Sequence, residues 1–67
     1  MNKVIGYRKM LGYTQEQLAD IFGISVQSYR MKEKGKVPFK KNEMLILKNE
    51  LQKDLFPKIT VDEIFFD

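Results

Sequence analysis

Thr14-Gln15-Glu16-Gln17-Leu18-Ala19-Asp20-Ile21-Phe22-Gly23-Ile24-Ser25-Val26-Gln27-Ser28-Tyr29-Arg30-Met31-Lys32-Glu33-Lys34-Gly35 is the stretch that decides the fold. Thr14 is a good N-cap, and Gln17 three residues later completes a capping box. The helix this opens spans about Gln15 to Phe22, with Leu18, Ala19 and Phe22 on one face. Gly23 ends it, because glycine enters the left-handed conformation at little cost. Ser25 caps a second helix, Val26 to about Lys34, which stops at Gly35. Ala19 is small enough to let the two helices approach closely. Leu18, Phe22 and Tyr29 fill the angle between them. Val26, Gln27, Arg30, Met31 and Lys34 are left on the outer face of the second helix.

The flanking segments read in the same way. Val4, Tyr7 or Arg8, and Leu11 fall at helical spacing, so a helix is predicted over Asn2 to Leu11, with Gly12 at its C-terminal end. Pro38 prevents the helix ending near Lys34 from continuing and pushes Val37 into extended geometry. Met44, Leu47 and Leu51 mark a helix over about Lys40 to Lys53, and Pro57 breaks the chain after it. Thr60 with Glu63 forms another capping box, opening a short helix over Val61 to Phe66. No strand-like alternation and no internal repeat is visible. The expected architecture is all-α, a compact bundle of about five short helices.

Composition narrows the chemistry. The chain has 67 residues, no cysteine, no histidine and no tryptophan. That length suits one domain, residues 1–67, with a small core. Without cysteine there is no disulfide scaffold, thiolate nucleophile or thiolate metal site, and a reducing cytoplasm is the expected setting. Without histidine a Ser-His-Asp triad and the usual zinc ligands are excluded. Glu43, Glu50, Asp54, Asp62, Glu63 and Asp67 form no catalytic carboxylate pair and are expected on helix ends and solvated faces. No glycine-rich phosphate loop is present. No catalytic residue, metal, cofactor or small-molecule ligand is therefore expected. No apolar run approaches the roughly 20 residues of a membrane span.

The net charge of +3 hides an asymmetry. Residues 1–41 carry nine Lys/Arg against three Asp/Glu, whereas residues 42–67 carry three against six. The densest basic stretch, Arg30 to Lys41, holds Arg30, Lys32, Lys34, Lys36, Lys40 and Lys41 with Glu33 as its one acid. Such asymmetry points to a nucleic-acid or membrane contact. Two short helices joined by a glycine-led turn form a helix-turn-helix, whose second helix can enter a DNA major groove.

Gly12-Tyr13-Thr14-Gln15 through Gly35-Lys36 resembles the helix-turn-helix of the phage Cro/repressor family, also called XRE-type. The likeness covers about Val4 to Leu51, with an extension to Phe65. It implies a lambda-repressor-like bundle that binds a palindromic operator in double-stranded DNA, usually as a homodimer. Carried over by position, Val26, Gln27, Arg30 and Met31 would face base edges. Arg8, Gln15, Ser28, Lys34, Lys36, Lys40 and Lys41 would lie along phosphates. Arg8 and Glu33 match a structural ion pair that, in some relatives, ties the first helix to the end of the third. Two positions depart from the pattern. Ile21 stands where relatives usually carry a polar residue, which suits packing on the fifth helix or a protein interface. Lys32 stands where an apolar residue is usual; either its stem lies along the core with the ammonium in water, or the third helix is tilted.

Gln27 can pair bidentately with adenine and Arg30 with guanine, while Val26 and Met31 can pack on thymine methyls. The expected function is sequence-specific regulation of transcription by operator occupancy. The alternative is a helical protein-interaction module, an antitoxin or anti-repressor partner, with little DNA contact. Ile64, Phe65 and Phe66 cannot all face one core from a short helix, so this tail is a candidate dimer contact.

Overall fold

The computed structural model describes residues 3–66. Five helices follow one another: α1 (Val4–Leu11), α2 (Gln15–Phe22), α3 (Val26–Glu33), α4 (Lys41–Asp54) and α5 (Val61–Phe65). No strand occurs among the described residues, and the predicted all-α class holds. The expected helical start at Asn2 lies outside them.

The helix ends obey the punctuation in the sequence. Thr14 Oγ1 accepts the Gln17 N–H at 3.1 Å, and Gln17 Oε1 accepts the Thr14 N–H at 2.9 Å. Ser25 Oγ accepts the Ser28 N–H, capping α3. Gly23 has φ 74°, and its turn is closed by the Ile24 N–H donating to the Ala19 carbonyl at 3.0 Å. A non-glycine residue would pay about 1 kcal/mol or more for that left-handed backbone. The reciprocal Thr60–Glu63 box opens α5.

The core consists of Val4 from α1, Leu18, Ala19 and Phe22 from α2, Tyr29 from α3, Leu47 and Leu51 from α4, Ile59, and Ile64 from α5. Within it α2 packs on α3, while α4 carries both α1 and α5. The expected apolar face of α4 is therefore confirmed at Leu47 and Leu51, with Met44 half-buried.

Phe39, in the α3–α4 connection, joins these two halves. Its ring lies 6.2 Å from Phe22, 6.3 Å from Tyr29 and 5.4 Å from Phe65, all at tilted or edge-on angles. Aromatic pairs in such geometry add about 0.5–1.5 kcal/mol each beyond burial. The segment after α3 is thus clamped to the core at Phe39.

Candidate nucleic-acid interface

Helix α3 is two-sided. Tyr29, Lys32 and Glu33 point inward and are buried. Gln27 and Arg30 are exposed on the opposite side, with Val26, Ser28 and Met31 half-buried beside them. Lys34, Lys36, Lys40 and Lys41 follow, all exposed. Because Lys32 and Glu33 turn into the protein, every exposed charge between Arg30 and Lys41 is positive. The linear sequence, with Glu33 inside the basic run, understates how uniform that surface is.

One hydrogen-bond network ties the exposed face to the core. Glu33 Oε2 accepts from Arg8 Nε at 2.8 Å and from the Tyr29 hydroxyl at 2.7 Å. Glu33 Oε1 accepts from Gln15 Nε2 at 2.7 Å. Gln15 Oε1 in turn accepts from Arg30 Nε at 3.1 Å, and Arg8 Nη1 donates to the Tyr13 carbonyl at 2.9 Å. Burial opposes ionisation of Glu33, but the hydrogen bonds from Arg8, Tyr29 and Gln15 outweigh it and hold the carboxyl below the usual carboxylate range. The Tyr29 phenol is pushed well above its ordinary value by burial and by its hydrogen bond to Glu33. Arg8 stays firmly cationic, since its bond to Glu33 outweighs the cost of burial.

Two capped helices meet at a left-handed glycine, and the exposed charges from Arg30 to Lys41 are all cationic. The helix-turn-helix family matches residues 6–55. The chain belongs to the helix-turn-helix family, in its Cro/repressor-type branch. It is a DNA-binding helix-turn-helix regulator in the general sense of that family. No curated protein and no solved structure matches the chain. No helix among the described residues is long and apolar enough to cross a membrane.

The structure of this helix-turn-helix regulator amends several expectations. Arg8 is buried, and its Nε and Nη1 are held by Glu33 and Tyr13. The expected Arg8–Glu33 ion pair is present, at 2.8 Å. Gln15 is only half-exposed, with its amide held between Glu33 and Arg30.

Lys32 does not send its ammonium to water. The side chain is 4% exposed, and Nζ lies 2.7 and 2.6 Å from the two Glu43 carboxylate oxygens. Glu43, expected on a solvated face, is 1% exposed; its Oε1 also accepts the Lys40 N–H at 2.8 Å, capping α4. Glu50 is likewise not merely solvated, since it accepts from the Tyr13 hydroxyl at 2.8 Å.

In the tail, Ile64 is 2% exposed and belongs to the chain's own core. Phe65 packs on Phe39, whereas Phe66 is 67% exposed. Ile21 is also at the surface. Sequence reasoning passed over Phe39; its one available signal was an aromatic residue directly after Pro38.

Proposed function

We propose that the chain is a sequence-specific double-stranded DNA-binding transcriptional regulator that acts by operator occupancy, as a single domain over residues 1–67. In this reading α3 enters the major groove, and Gln27 and Arg30 read base edges while Val26 and Met31 pack on thymine methyls. Lys34, Lys36, Lys40 and Lys41 lie along the phosphates, where cations release counterions and give affinity without sequence choice. Ser28 contributes a neutral hydrogen bond to the backbone. The carrying observation is the exposed charge of one sign from Arg30 to Lys41. A homodimer on a palindromic operator completes the reading, with Phe66 as its available apolar contact, and the cytoplasm is the compartment.

The test is DNA binding as a function of salt, combined with selection from a random DNA pool. Log K should fall with log salt by about 0.9 per phosphate neutralised. Lys36→Ala and Lys40→Ala should each lower that slope by about 1 without changing the selected site. Gln27→Ala should relax the preference at one base pair, by about 1–3 kcal/mol, at an unchanged slope. Salt-independent behaviour with no enriched site would overturn the reading and favour the protein-interaction module.

A further inference from the structure

We propose that Gln15 is a positioning residue for Arg30 rather than a phosphate ligand, relaying the buried Glu33 carboxylate to the DNA-facing surface. The inference rests on the DNA-binding reading for its consequence, but its geometry stands in the free protein.

An ionised carboxylate can only accept hydrogen bonds. Glu33, buried and held ionised by its partners, therefore dictates which end of the Gln15 amide faces it: the NH2 donates to Glu33 Oε1 at 2.7 Å. The amide carbonyl is then forced outward, where it accepts from Arg30 Nε at 3.1 Å. Nothing in that chain is interchangeable, because reversing the amide would set a carbonyl against a carboxylate and an NH2 against a guanidinium.

The consequence concerns how Arg30 can bind. A guanidinium has five N–H donors, one on Nε and four on the two terminal nitrogens. With Nε held by Gln15, the terminal pair remains, which is the end-on fork that matches guanine O6 and N7. Arg30 is exposed, and a free exposed arginine samples many rotamers; fixing it before DNA arrives removes part of that ordering cost from binding. Gln15 thus sets specificity at the base pair Arg30 reads without touching it.

The chain has only two arginines, Arg8 and Arg30, so nitrogen-15 NMR of the full chain shows two Nε–H signals. Gln15→Met keeps side-chain length and helix propensity but removes both hydrogen bonds. The Arg30 Nε–H should lose its protection from exchange, while the Arg8 Nε–H, still bonded to Glu33, stays protected and reports an intact fold. On DNA, Gln15→Met should lose preference for guanine at the same base pair as Arg30→Ala, on the order of tenfold. The double variant should be no worse than Arg30→Ala alone, the non-additivity of two residues acting as one. An unchanged Arg30 Nε–H signal would overturn the relay. So would a Gln15→Met loss equal on all sequences and additive with Arg30→Ala, the behaviour of a phosphate contact. If the wild-type chain binds no DNA, the functional reading fails while the NMR comparison still decides the relay.

Discussion

Glu33→Ala is expected to remove about 3–5 kcal/mol of folding stability, the usual cost of leaving one partner of a buried ion pair behind. Globular proteins hold roughly 0.05–0.15 kcal/mol per residue, so 67 residues have about 3–10 kcal/mol in total. At the lower end of that range the substitution would leave the domain at or beyond its unfolding midpoint at 25 °C. The effect is large because one carboxylate gathers donors from separate helices, among them Arg8 of α1, Gln15 of α2 and Tyr29 of α3. Its loss strands a buried guanidinium and a buried phenol together. Urea unfolding followed by circular dichroism measures it. A change in midpoint below that expected for 1 kcal/mol would show that the network contributes little. The pH dependence carries a second signature. The folded-state pKa of Glu33 is depressed, so its contribution is present above the unfolded value near 4.3 and is lost as pH falls through the lower folded value. Glu33→Gln, which abolishes that titration, should flatten the acid side of the stability profile.

The sequence carried the helices plainly and the polar interior poorly, for physical reasons that differ. Gly12, Thr14, Gly23, Ser25 and Thr60 act on backbone groups within four residues of themselves. Their consequences are local and readable, and α2 begins and ends at the predicted residues. The third helix stops one residue early because Lys34 becomes its C-cap and Gly35 turns the chain at φ 81°. Lys32 and Glu43 are different. Each alone belongs at the surface by residue type; each is buried only because the other is there, 11 residues away across a turn. The Arg8–Glu33 pair, separated by 25 residues, became visible only through resemblance to a family. Within the chain Gln15 bonds Glu33 and Arg30, partners set by the direction of one amide, which no spacing rule encodes. At the interface, exposure of Gln27 and Arg30 followed from helical periodicity, whereas the uniform sign of the surrounding charge required knowing that Glu33 faces inward.

Glu43→Ala should be the second large loss, again about 3–5 kcal/mol, because it leaves the Lys32 ammonium in a site where its side chain is 4% exposed. Part of the loss, about 1 kcal/mol, belongs to the cap Glu43 gives the Lys40 N–H. Glu43→Gln separates the two contributions, since a neutral amide can still accept from Lys40 but cannot balance the ammonium. Replacing both partners by apolar residues has a different outcome. In Lys32→Met with Glu43→Met, neither charge of this pair is left buried, and such replacements are often neutral or stabilising by about 1–4 kcal/mol relative to the ion pair. The double variant should therefore recover most of what Glu43→Ala loses, less the cap. Urea midpoints of the single and double variants form the cycle, and a Glu43→Ala cost near the cap alone would mean that the ammonium finds water. The same double variant separates the buried lysine from those proposed to face DNA. Lys32 lies within the basic run by sequence but points away from its surface, so removing it should leave the salt dependence of DNA binding unchanged. Lys36→Ala, four residues on and exposed, should lower the slope by about 1. A drop in slope from the Lys32→Met, Glu43→Met double variant would place Lys32 on the phosphates and contradict the inward face of α3.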